Sequence, residues 1–172
     1  MSDPRVGADG RLAWAGGSPR CALGRGGIRT DKAEGDGATP AGRHPLRRVL
    51  YRADRLARPD TALPVAALAP DDGWCDDPAH PDYNRPVRLP HPARCETLWR
   101  DDAVYDVIVV LGHNDDPVAP GRGSAIFLHV ARPDFTPTEG CVALPLPDLL
   151  AVLRTCGPGD ALCVEGERGK KE

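Results

Sequence analysis

Hydrophobic positions in this chain fall into short runs, cut apart by 19 glycines and 19 prolines. Residues 12–15, 45–51, 87–89, 105–111, 125–130 and 161–165 are rich in Val, Ile, Leu and aromatics and bounded by Gly, Pro or Asp, a pattern that predicts strands. The runs 105–111 and 124–129 are apolar almost without interruption, as central strands buried on both faces are. Helical periodicity is clear only at 147–154. That segment opens with Pro147, carries Asp148 near the positive end of the helix dipole and places Leu149, Leu150 and Leu153 on one face. It stops before Gly157-Pro158. A second helix, interrupted by Pro64, is expected over 60–68, and 71–92 reads as loop. The expectation is one mainly β domain over 1–172, its core at about 12–165, with one or two covering helices.

Composition narrows the function classes. The formal charge is −3, with 22 Lys plus Arg against 25 Asp plus Glu, and no basic cluster marks a nucleic-acid partner. The longest apolar run, 107–111, is far too short to cross a bilayer, so no membrane insertion is expected. The first ten residues hold no apolar core and no small-residue cleavage site. The expected location is therefore cytoplasmic, or periplasmic if a leader has been removed. In a reducing compartment Cys21, Cys75, Cys95, Cys141, Cys156 and Cys163 are small buried residues, one of which can be reactive.

The chemistry concentrates between residues 121 and 144. A strand delivers His129 at its end, a proline-bearing loop follows, and the chain returns through Thr138-Glu139-Gly140 to Cys141. An imidazole can convert a thiol of ordinary pKa about 8.5 to the nucleophilic thiolate. Gly140 lets a carbonyl approach the backbone, where the amides of Gly140 and Cys141 would hold a developing oxyanion. Taken alone, the pair is equally a packed cysteine and a solvated strand-end histidine.

Three other groups of residues invite a role. His113 and Asp115 follow the strand at 105–111, and they reach the rim of the same cleft if that strand pairs with the one bearing His129; an ordinary turn is the alternative. Cys75, His80, His91 and Cys95 have spacings near those of zinc ligands. They lack a Cys-x2-Cys knuckle, so the preferred reading has no metal and no cofactor. The glycines at 24–27 and 35–37 lack the setting of a phosphate loop and read as turns, with Lys32, Glu34 and Asp36 as loop charges bordering the cleft.

Two separated segments resemble the YkuD-type L,D-transpeptidase catalytic domain. Its Ser/Thr-x-Gly-Cys-x-Arg motif after a strand-borne histidine is matched by His129 and Thr138-Glu139-Gly140-Cys141-Val142-Ala143, except at the last position. Its early Thr-Pro-x-Gly-x-Phe turn is followed by Thr39-Pro40-Ala41-Gly42-Arg43-His44. The resemblance spans about residues 12–164 and implies a β-sandwich of mixed sheets with the cysteine in a cleft. It implies Cys141 as nucleophile and His129 as base on the tetrapeptide stem of peptidoglycan or a muropeptide, cut between a third-residue diamino acid and the terminal D-alanine through a thioester. His113, Thr138, Glu139 and Arg122 are the substrate-binding candidates. Ala143 replaces the family's arginine, with Arg122 and Arg132 as candidate substitutes; Glu139 stands where a second histidine is common, and the loop between His129 and Cys141 is short. These departures fit a divergent, leaderless subgroup that trims tetrapeptides with water as acceptor. The alternative is a catalytically idle domain that binds peptidoglycan peptides.

Overall fold

A computed structural model describes residues 3–166. Along them run β1 (Arg5–Val6), β2 (Leu12–Ala13), β3 (Ile28–Arg29), β4 (Thr39–Pro40) and β5 (Gly42–Tyr51). Next come β6 (Val65–Ala67), β7 (Asp72–Cys75), β8 (Pro86–Arg88), β9 (Cys95–Thr97) and β10 (Val107–Leu111). The chain ends with β11 (Phe127–Val130), β12 (Val142–Leu144), the helix α1 (Leu146–Leu153) and β13 (Ala161–Val164).

The ten-residue β5 is the spine. Its first half pairs antiparallel with β13, whereas its second half pairs antiparallel with β10 and parallel with β6. One curled mixed sheet therefore runs β12–β11–β10–β5–β13–β1–β2, with a register shift at Val110/Leu111 where β10 leaves β5. A separate antiparallel sheet, β8–β7–β9, packs beside it through Trp74, whose ring meets Phe127 edge-on at 5.0 Å.

Strand parity then sorts the interior into two compartments. Val107, Val109 and Leu111 of β10, Leu128 and Val130 of β11, and Val142 and Leu144 of β12 face the larger apolar core. Ile108, Val110 and Phe127 face the other side, joined by Trp74, Leu98 and Tyr105. Helix α1 closes the first core with Leu149, Val152 and Leu153 buried, an i, i+3, i+4 stripe. Each leucine so buried contributes about 2 kcal/mol. The expected face included Leu150; it is Val152 that turns inward.

Two expectations fail. Residues 60–68 form no helix: Pro64 lacks the amide a helix needs, its carbonyl accepts from Val49 N at 2.8 Å, and 65–67 become the edge strand β6. β7 lies in the stretch 71–92 expected to be loop-rich, whereas β8 is the strand expected at 87–89. Otherwise the fold is the mainly β, mixed-sheet architecture anticipated, and no helix among the described residues is long and apolar enough to cross a membrane.

Candidate active site

The same parity that buries Leu128 puts His129 on the side of Phe127 and Tyr105. β11 and β12 run parallel with Leu128 opposite Val142 and His129 opposite Ala143, so Cys141 enters from the start of β12 onto the same compartment. The early motif reaches this point through residues 22–25. Ala22 bridges Ala143 and Gly24 bridges Thr138, while Gly24 N donates to Thr39 Oγ1 at 2.9 Å. Gly140 has φ of +140°, and a Cβ there would stand 2.8 Å from the Ala38 carbonyl oxygen. Glycine is thus required where the two motifs touch.

Thr138 fastens the turn that presents the cysteine. Its hydroxyl donates to Cys141 O at 2.6 Å and accepts from Gly140 N at 3.1 Å. The Gly140 amide, one of the two expected oxyanion donors, is therefore engaged by Thr138 at rest. The Cys141 amide has no protein acceptor among the described residues.

The thiol and the imidazole are both buried and both neutral at rest. Cys141 Sγ donates to Ala125 O at 3.2 Å and accepts from Phe127 N at 3.3 Å. Burial, aided by the Glu96 carboxylate, pushes its pKa up to about 12. Burial also pushes His129 down to about 4. His129 Nδ1 faces the Val130 carbonyl at 3.0 Å, which can only accept, so Nδ1 carries the proton and Nε2 holds the lone pair. The resting site thus holds a neutral thiol and an unprotonated imidazole on the wall of one cavity.

Both groups line a cavity of about 370 Å³, together with Tyr105, Ser124 and Ala143. Four carboxylates, Glu34, Asp76, Glu96 and Glu139, and two cations, Arg100 and Arg132, also line it. Glu34 accepts from Tyr83 at 2.9 Å and from Ser124, and Glu96 accepts from Tyr105. Burial raises the pKa of Glu96 and pushes Tyr105 well above its ordinary value. Asp102 receives Arg100 at 2.6 Å and Arg132 at 3.3 Å, and the Arg100 bond holds its pKa near 2. The cavity thus offers both carboxylates and guanidinium groups along its wall.

The structure brings together Cys141, His129, Thr138 and Glu139, the last at the exposed rim and paired with Arg25 at 2.9 Å. His113 and Arg122 do not line the cavity. The His113 ring donates from Nε2 to Arg122 O at 3.0 Å and meets His44 edge-on, and Arg122 is exposed. Asp115 is held by Arg47 at 3.0 Å in a different pocket. Of the two arginines considered as substitutes at Ala143, only Arg132 reaches the site. Sequence reasoning missed Arg100, Glu96, Tyr105 and Ser124. Tyr105 and Ser124 flank predicted central strands, a usable signal, whereas Glu96 and Arg100 lie in a segment without pattern.

The family model of the YkuD L,D-transpeptidase catalytic domain matches residues 6–165. No curated protein and no solved structure matches the chain.

Proposed function

The chain belongs to the YkuD family of L,D-transpeptidase catalytic domains, and from that premise we propose that Cys141 cleaves peptidoglycan tetrapeptide stems, with His129 as its base and water as the acceptor. The observation that carries this reading is the shared cavity, lined both by His129, whose Nε2 is unprotonated, and by the cysteine at the head of β12. Because the thiol rests neutral, its proton passes to Nε2 as sulfur attacks the carbonyl of the third residue. The Cys141 amide then receives the oxyanion. The imidazolium returns the proton to the departing D-alanine amine, leaving a thioester. Water, deprotonated by the same nitrogen, attacks the thioester and releases the tripeptide and the thiol.

The cavity volume supports water over a second stem. At about 370 Å³ it lies at the small end of ligand sites, with room for one stem end. The polar wall suits the stem as well: guanidinium groups face a carboxylate, and the carboxylates of Glu34 and Asp76 face the free amine of a diamino acid. Soluble muropeptides in the cytoplasm are the proposed source. A disaccharide tetrapeptide incubated with the protein tests this by mass spectrometry. Loss of alanine with gain of water is expected. Cross-linked or D-amino-acid-exchanged products without tripeptide would overturn the choice of acceptor.

A second reading is favoured by the thiol itself, which is bonded to Ala125 and pushed up to about 12. An idle domain would bind the tetrapeptide and return it unchanged.

A further inference from the structure

The small sheet β8–β7–β9 carries a set of groups that the reaction does not use. Cys75 and Cys95 are direct cross-strand partners on β7 and β9, and Cys75 is fully buried. His91, from the connection between β8 and β9, joins them: the two sulfurs and a ring nitrogen all lie within 4.8 Å of one another. His91 also belongs to a second cluster of the same tightness with His80 and Asp82. Its Nε2 is 2.9 Å from Asp82 Oδ2, and its ring stands 4.8 Å from that of His80.

We propose that Cys75, Cys95 and His91, completed by one donor from His80 or Asp82, form a structural site for a divalent cation of the zinc class. Two thiols and an imidazole are the borderline-soft set that selects such an ion over calcium or magnesium. A tetrahedron with bonds of about 2.3 Å to sulfur and about 2.0 Å to nitrogen needs ligand atoms about 3.3–3.8 Å apart. Among Cys75, Cys95 and His91, closing from the 4.8 Å limit to that range takes at most about 1.0–1.5 Å, and the fourth donor closes in from the cluster that His91 shares. Binding exchanges two thiol protons for the cation, so two protons leave for each ion bound.

The local fold gives the ion a task. β7, β8 and β9 have only four, three and three residues, so this sheet depends on what packs against it or ties it together. Among the described residues, 76–95 contribute nothing to either apolar cluster. The ion would tie three points of this segment together from behind the cavity wall. Glu96 pairs across the strands with Trp74, on the opposite face from Cys95, and Asp76 follows Cys75. Both carboxylates line the cavity.

Metal analysis of the full chain, purified without chelator, is expected to find one zinc-class ion per molecule. Cys95→Ser and His91→Ala should each cut that content at least about tenfold, while Cys141→Ala and Cys163→Ser retain it. One of His80→Ala and Asp82→Ala should weaken affinity by about tenfold or more. Because a variant can fail to fold, the unaltered chain carries its own test. Chelator should lower its melting temperature, cobalt(II) should give a thiolate charge-transfer band, and zinc titration should release two protons per ion. A metal-free chain indifferent to chelator and added zinc, or one with a Cys75–Cys95 disulfide, would falsify the site. So would equal affinity in both the His80 and Asp82 variants and the parent. None of these outcomes depends on turnover at Cys141.

Discussion

On one face of the β10–β11–β12 ladder, Val107, Val109, Leu128, Val142 and Leu144 share one apolar cluster with Leu149, Val152 and Leu153 of α1. On the other face, Ile108, Val110 and Phe127 share the interior with Tyr105, His129 and Cys141. Both faces come from the same near-continuous apolar runs. The difference lies in what covers them. A helix seals the first face with leucines, whereas the second is covered by the short-stranded β8–β7–β9 sheet and by loops that leave a cavity. Burial on that second face desolvates the titratable groups and favours their neutral forms, so the imidazole titrates low and the thiol high. One face supplies stability and the other places chemistry at some cost to it.

Paired substitutions break this comparison most sharply. Cys141→Ala should lower turnover of a tetrapeptide by about 1,000-fold or more and abolish any acyl adduct seen by mass spectrometry. Its unfolding free energy should change by about 1 kcal/mol or less. Leu149→Ala should do the reverse, costing about 2–5 kcal/mol in denaturant unfolding while the folded fraction keeps its activity. A Cys141→Ala protein that turns over normally would remove the reaction from this face altogether.

The pH dependence is the next largest effect. His129 has a folded pKa of about 4 against an unfolded value of 6.5. Between those values the unfolded chain binds more protons, so stability rises with pH there and is fully present above 6.5. It is lost as pH falls toward 4, by about 3 kcal/mol from this group alone. His129→Gln should flatten that slope in urea melts run from pH 4 to 7. In the unaltered chain, kcat/KM should hold its neutral-pH level down to pH 5, because the free base is still unprotonated there.

What the sequence disclosed follows from this contrast. The strand 125–130, the turn at Thr138–Cys141 and the helix after it were readable because each has a local cause: a near-continuous apolar run, a glycine, an apolar stripe opened by proline. The link from Thr39 to the Thr138 turn was readable only as two motifs of one family, since it runs through Gly24, in a stretch without periodic pattern. Glu96 and Arg100 were not readable. They reach the cavity because β9 pairs with β7 in one register, and nothing local in either strand specifies that register. His113 does not line the cavity for a related reason. Its strand does pair with β11, but its ring turns away to the Arg122 carbonyl.

The smallest effect separates Arg132 from Arg122 and so tests how the cavity replaces the arginine missing at Ala143. Ala143 is the direct ladder partner of His129, so an arginine there would stand beside the base. Arg132 lines the same wall three residues after His129, with Asp102 as a partner at 3.3 Å. That bond is long and the side chain is 46% exposed, so the guanidinium can turn toward a substrate carboxylate at little cost. Its contribution is correspondingly modest. Arg132→Ala should raise KM about 3- to 10-fold with kcat nearly unchanged, the pattern of a group that binds substrate and transition state alike. Arg132→Lys should recover part of the loss by keeping the charge without the fork. Arg122→Ala, altering an exposed side chain outside the cavity, should change neither constant. If Arg122→Ala raises KM instead, the substrate extends past Ser124 toward the His113 loop, and the reactive face is larger than this cavity.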